Sequence, residues 1–332
     1  MSDYDEDEVL KAESEEEKVQ REREDDFGKN ENEILTQEDQ IEPCPLTQDI
    51  LAKGLSLLCR TGNGLAHAYV RLDLKNKGLT DLALVSSFVH LRYLDISSNH
   101  LSDLSPLAAL TQLLWVKGDG NLIERFDGEM FGQLNYLQWL SLASNRICDV
   151  KGFGGPALES LNLIGNGIQT MQGLEYHNLT NLVTLELRGN LLETTDGIYL
   201  PNLRHLYLAQ NNIARLEGLE KLEQLNTLHL RDNQLEMLDG ISPKLKCLHY
   251  LNIRGNFISS QKALQTLVSV GQTLRTLVLL DNPLGKNGDY RLYVISHLPQ
   301  LERLDKDPIT EGERSEALEK LKELQDEDQE DN

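Results

Sequence analysis

Leu225-Asn226-Thr227-Leu228-His229-Leu230-Arg231-Asp232-Asn233-Gln234-Leu235 spaces its apolar residues and its second asparagine as L-x-x-L-x-L-x-x-N-x-L. The same spacing recurs on both sides of this stretch. Its asparagine falls at Asn99, Asn121, Asn145, Asn166, Asn190, Asn211, Asn233, Asn256 and Asn282, in steps of 22, 24, 21, 24, 21, 22, 23 and 26 residues. Leu228 and Leu230 alternate with polar neighbours, as in a strand buried on one face. A single copy cannot enclose Leu225, Leu228, Leu230 and Leu235. Stacked copies can, and each buried leucine then contributes roughly 1.5–3 kcal/mol. The chain that turns after each strand needs partners for its backbone. An Asn amide offers donors and an acceptor, so the column predicts a hydrogen-bonded ladder between successive copies.

A period in the low twenties with this pattern is that of the leucine-rich repeat. The expected fold is therefore α/β: a right-handed, curved solenoid with a parallel sheet on its concave side and short helical turns on its convex side. Segments such as Ile213–Leu222 keep the helical spacing of apolar residues that those turns require. The domain boundaries read as an acidic disordered tail over 1–43, an N-terminal capping helix over 44–66, repeats over 67–284, a C-terminal cap over 285–305, and a helix with an acidic tail over 306–332. Thr47 can cap the first helix, Asp49 sits in its positive first turn, and Ile50, Leu51, Leu55 and Leu58 give it an apolar stripe that Gly62 and Gly64 end. A first, degenerate repeat runs from Tyr69 to Leu79 with Lys77 in the ladder position, because no earlier repeat needs its amide. Thr310-x-x-Glu313 is a capping box that opens a helix bearing Ala317, Leu318, Leu321 and Leu324. That helix either packs on the cap or awaits a partner, and the run from Asp326 to Asn332 reads as disordered.

The 332 residues carry a formal net charge of −22. Residues 1–42 hold −13 of it and residues 306–332 hold −7, so the body between them is nearly neutral at −2. Acidic blocks with few aromatics stay solvated. A body without net positive charge argues against nucleic acid. Charged residues throughout 1–30 leave no signal peptide or membrane span, and Asn178-Leu179-Thr180 then reads as an accidental glycosylation sequon. Cys44, Cys59, Cys148 and Cys247 are scattered without C-x-x-C pairs, as reduced thiols of the cytoplasm are.

No nucleophile elbow, phosphate loop, H-E-x-x-H or spaced Cys/His set occurs, so the sequence supports no enzyme activity, cofactor, metal or small-molecule substrate. His205 and His229 face the same way on neighbouring strands, but the pattern places no further ligands for a metal beside them. What remains is the face of the sheet between the buried leucines. The outward positions carry Tyr93, Asp95, Trp115, Lys117, Trp139, Glu186, Arg188, His205, Tyr207, His229, Arg231, Tyr250 and Arg254. Both tryptophans of the chain fall side by side, with Tyr93 next to them. Trp, Tyr and Arg are the residue types that anchor protein interfaces, so this concave face is the expected binding surface. The alternative is that the aromatics plug the sheet surface or pack on a tail.

Asn282-Pro283, Asp289-Tyr290-Arg291 and Leu298-Pro299-x-Leu301-x-x-Leu304-Asp305 resemble the C-terminal cap of the SDS22-like class of leucine-rich proteins. The segment Thr61-Gly62-Asn63-Gly64-Leu65-Ala66-His67-Ala68-Tyr69-Val70 is more specific, since a generic repeat does not dictate it. With His90-Leu91-Arg92-Tyr93, Leu206–Asn211, Leu228–Asn233 and Leu277–Pro283, it resembles the axonemal family of leucine-rich repeat-containing protein 23, from about Pro45 to Asp305. The resemblance implies a structural subunit of the radial spoke, in the head region of the third spoke of motile cilia and sperm flagella. It also implies a location in the cytoplasmic cytoskeleton of the axoneme, with radial spoke head and other axonemal proteins as partners and support of motility as the role. The segment after Asp305 is short against that family. An SDS22-like regulatory subunit of a protein phosphatase is the other reading that the repeats and cap allow.

Overall fold

The computed structural model describes residues 41–62, 64–126, 128–286 and 290–330, so the expectation of a disordered acidic tail over 1–43 lies almost wholly outside the described residues. Cys44–Asn332 forms a compact unit. Among the described residues its sheet has thirteen strands, which follow one another in chain order. They are β1 (Leu55–Arg60), β2 (His67–Asp73), β3 (Tyr93–Asp95), β4 (Trp115–Lys117), β5 (Trp139–Ser141), β6 (Ser160–Asn162), β7 (Thr184–Glu186), β8 (His205–Tyr207), β9 (Thr227–His229), β10 (Tyr250–Asn252), β11 (Thr276–Val278), β12 (Arg303–Leu304) and β13 (Asp307–Pro308). β2 through β12 run parallel, one strand per repeat. Antiparallel pairs close the series at each end. The middle residue of each three-residue strand, from Leu94 through Leu206 and Leu228 to Leu277, is fully buried. Its two neighbours lie on the opposite, open face, so the alternation read from the sequence is the alternation of the sheet. Short 3-10 turns such as Ser105–Ala109 and Leu219–Lys221 return the chain on the other side, each burying a leucine in the shared core, and helix α2 (Gly128–Gln133) returns it after β4.

The asparagine ladder forms as the period predicts. Asn233 donates through Nδ2 to Leu208 O at 2.9 Å in the preceding repeat and to Leu230 O at 3.0 Å in its own, while its Oδ1 accepts from Ile213 N at 3.0 Å. The same pattern repeats from Asn99 to Asn282. The residue before each ladder asparagine is left-handed, with φ between 53° and 67°, whether it is Gly120 or Gly255 or a side-chain-bearing residue such as Ser98, Gln210 or Asp232. That single reversal aims the amide back at the previous turn. Gly and small polar residues adopt it at least cost.

The N-terminal cap differs from the expected helix over 44–66. Helix α1 spans only Gln48–Gly54, with Thr47 Oγ1 accepting from Ile50 N at 3.4 Å and Leu51 buried. From Leu55 the chain turns back as β1 against β2, so Leu55 and Leu58 belong to a strand. Gly54 makes the switch possible: a Cβ there would meet Asp73 O at 2.4 Å. The pairing with β2 satisfies more backbone groups than a further turn of helix would.

At the other end Asp305 continues the ladder in place of asparagine, accepting from Leu279 N at 2.7 Å and from Tyr290 Oη at 2.6 Å. Tyr290 and Arg291 open helix α3 (Tyr290–His297), which packs on helix α4 (Glu311–Glu330). Burial first, then the Asp305 carboxylate, push the Tyr290 hydroxyl well above its usual range. Arg291 meets Glu313 at 2.7 Å and donates to Leu304 O at 3.2 Å. Arg314 donates to Pro299 O at 2.8 Å, and Ala317 is buried. The first turns of α4 therefore pack on the cap, and the capping box forms, with Thr310 N donating to Glu313 Oε2 at 2.8 Å. The Arg291 guanidinium and Thr310 hold the Glu313 carboxyl down to about 2. The expected disorder from Asp326 is corrected as far as Glu330, to which α4 continues; residues 331–332 lie outside the described residues.

Candidate functional site: the open face of the sheet

The pleat puts the residues on either side of each buried leucine in straight columns across the strands. Tyr93, Trp115 and Trp139 are successive neighbours in one column, and Asp95, Lys117 and Ser141 are neighbours in the next. Trp115 and Trp139 stack with ring centroids 4.7 Å apart and planes 7° from parallel. Each ring buries one face on the other and fixes its rotamer, so the pair forms a rigid apolar slab on the sheet. Beside it Lys117 Nζ approaches Asp119 at 3.7 Å, and Asp119 accepts from Ser141 Oγ and from Ala143 N at 2.9 Å. Asp95 is held locally by Ser97, which donates from its backbone N–H at 3.0 Å and from its hydroxyl.

A second aromatic cluster stands further along the same face. His229 lies between Tyr207 and Tyr250, with centroids 4.8 Å away on each side. Its Nε2 is buried without a hydrogen-bond partner. That desolvation, with the positive charge of Arg231, holds its pKa down to about 3. His205, on the neighbouring strand, is also lowered, by burial and by Arg204. Both rings are therefore neutral at physiological pH and act as aromatic slabs. Among the described residues no group of three or more His, Cys, Asp or Glu side chains is arranged to hold a metal ion.

The arginines form an edge to this second cluster. Arg188 donates to Gln210 Oε1 at 2.9 Å, Arg231 meets Asp232 at 3.0 Å, and Arg254 meets Asp281 at 2.6 Å. Glu186 sits in register with Tyr207. The thirteen residues that the sequence places on one face thus divide into two groups. Tyr93, Asp95, Trp115, Lys117 and Trp139 form the first, Glu186, Arg188, His205, Tyr207, His229, Arg231, Tyr250 and Arg254 form the second, and the small polar side chains of Ser160 and Asn162 lie between.

The sequence reading began this face at Tyr93 and missed its continuation. Arg71 of β2 pairs in register with Tyr93, so Tyr69 and Arg71 face the same way, and Leu58 and Arg60 of β1 stand opposite Tyr69 and His67. The signal was present in the degenerate Tyr69-x-x-Leu72-x-Leu74 repeat. The helix expected over 44–66 hid only Leu58 and Arg60.

A leucine-rich repeat family model matches residues 197–331, and a second matches residues 90–110. The chain is 54% identical over 275 residues to human leucine-rich repeat-containing protein 23, covering 83% of this chain and 79% of that protein. It is 47% identical over 327 residues to the mouse protein of the same name, covering 97% of this chain and 94% of the mouse protein. Among solved structures, a leucine-rich repeat protein of Leptospira interrogans is 25% identical with a TM-score of 0.50, over 71% of each chain. At these identities over most of its length, the chain belongs to the leucine-rich repeat-containing protein 23 family.

Proposed function

We propose that this protein is a non-catalytic scaffold of the radial spoke in motile cilia and sperm flagella, in the head region of the third spoke, where it supports spoke assembly and motility. Leucine-rich repeats present long, rigid surfaces to other proteins, and family membership narrows which proteins those are. In this reading the partners are radial spoke head proteins and other axonemal proteins, and the location is the axoneme within the cytoplasm. The observation that carries the choice of surface is the Trp115–Trp139 stack beside Tyr93, a rigid aromatic slab on the open face of the sheet.

The test replaces both tryptophans, Trp115→Ala with Trp139→Ala, and follows incorporation into axonemes. Truncating interfacial tryptophans costs at least about 2 kcal/mol, or roughly thirtyfold in affinity. Because both rings project from the face opposite the leucine core, the thermal melt should change little while incorporation falls. Normal incorporation would move the contact to the convex side, a cap or a tail. Recovery of the parent chain with a phosphatase catalytic subunit instead of spoke-head proteins would favour the phosphatase regulator.

A further inference from the structure

Leu55 and Val70 tie the β1–β2 hairpin to the solenoid, Leu55 by packing on the core and Val70 by burial and by accepting from Arg92 N at 2.8 Å, while the residues between them are mostly exposed. β1 is the edge of the thirteen-stranded sheet, and only Arg71, Leu72 and Asp73 of β2 pair with β3, so the rest of the β1–β2 hairpin extends past the sheet as an arm. Thr61 closes it, its N–H donating to Ala66 O at 2.9 Å and its carbonyl accepting from Gly64 N at 2.8 Å. The arm is apolar where it is exposed: Leu57 is 54% accessible, Leu58 57%, Leu65 88% and Tyr69 44%. Leu57 is left-handed, with φ 56°, and the β1–β2 register continues on both sides of it. An edge strand with exposed apolar side chains is a template for another strand, and proteins that do not use one blunt it with charge, proline or a covering element.

Two further observations identify what fits. No carboxylate occurs in the chain between Asp49 and Asp73, whereas Lys53, Arg60 and Arg71 do, in a protein of net charge −22. Directly opposed residues of an antiparallel pair project to the same side, so Leu58, Arg60, His67, Tyr69 and Arg71 all share the open face. Through the Arg71–Tyr93 register they run into the column of Trp115 and Trp139. The nearest carboxylates on that face, Asp73 and Asp95, lie one column further along the strands.

We infer that the β1 edge receives an extended, acidic segment of a partner protein as an added strand, with an apolar side chain against Leu58 and Tyr69 and, two residues to either side of it on the same face, carboxylates toward Arg60 and Arg71. Main-chain pairing supplies affinity in such strand addition, and the alternating side chains supply selection. This rests on the open face being the interface proposed above, but its test uses no axonemes, so its failure leaves the spoke assignment standing.

The probe is a fluorescein-labelled decapeptide in which threonine alternates with glutamate and valine taken in turn, so that glutamate and valine share one face of the strand, titrated with the full chain and followed by anisotropy. Binding that weakens as salt is raised is expected, with none for the same peptide carrying lysine in place of glutamate or for the acidic peptide N-methylated at alternate residues. Leu58→Ser with Leu65→Ser, at exposed positions, should weaken binding at least about tenfold, and Arg60→Glu alone should do so independently of any effect on the apolar surface. Equal binding of the acidic and basic peptides, tolerance of N-methylation, or unchanged affinity in both variants would overturn the inference. So would self-association of the parent chain that Leu58→Ser abolishes, since the edge would then belong to a second copy.

Discussion

At the C-terminal end of the sheet the last strand is two residues long and contains Pro308, and α4 is tied against the cap by Arg291–Glu313 and by Arg314 on Pro299 O. At the N-terminal end β1 is six residues long, and every residue after Leu55 is exposed. A solenoid must cover the apolar core of both terminal repeats, and it does so here: Leu46 and Leu51 seal one end, and Leu298, Leu301 and Ala317 seal the other. The difference lies in the edge of the sheet. One edge is terminated by proline and a polar network, and the other is extended into an arm. Closing the core and closing the sheet are separate tasks, and this fold performs the second at one end only.

The largest expected contrast comes from placing a charge at each end. Leu304→Asp puts a carboxylate into the fully buried position of β12, and should cost at least about 4 kcal/mol as an unpaired buried charge. Leu58→Asp puts the same group on an exposed strand and should stay within about 1 kcal/mol of the parent. Urea midpoints of the two variants decide it. Similar losses in both would show that the arm is part of the folding unit, and would erase the contrast between the ends.

A middle-sized effect belongs to neither end. His229 stays neutral in the fold down to about pH 3, whereas an unfolded imidazole titrates near pH 6.5. The stability linked to this ring is complete above pH 6.5 and declines as pH falls toward 3, because the unfolded chain takes up a proton that the fold refuses. Between pH 6.5 and 5 the loss is about 2 kcal/mol. His229→Gln should flatten this slope. If it does not, the acid lability resides elsewhere, with His205, also lowered by burial, as the next group to replace.

The smallest effect sharpens the picture of the closed end. The carboxyl of Glu313 is held near pH 2 by Arg291 and Thr310, so its contribution is present above the ordinary carboxylate range and is lost as pH falls toward 2. The pair is partly open to solvent, which limits the contribution to about 1 kcal/mol at neutral pH. Glu313→Gln should lower the melting temperature by a few degrees at pH 7 and hardly at all near pH 2. An equal loss at both pH values would assign the stability to packing of α4 alone.

The repeat period, the buried leucines, the ladder from Asn99 to Asn282 and the outward columns of the face were all legible in the sequence. Each is a local pattern that every strand repeats, and the fold copies it with one hydrogen-bonding scheme. The left-handed residue before each asparagine was not legible. Its side chain varies from Gly120 to Gln210, and only its backbone angle is constant. The division of the face into a tryptophan group and a histidine group also came from the structure, because stacking depends on which rings become neighbours across strands about a repeat apart. The strand at Leu55–Arg60 was the instructive miss. Its leucines at positions 55 and 58 suit a helical stripe as well as a strand, and local propensity could not choose between them. The choice fell to tertiary structure, because β2, more than ten residues further on, offers backbone partners that a longer helix would leave unused.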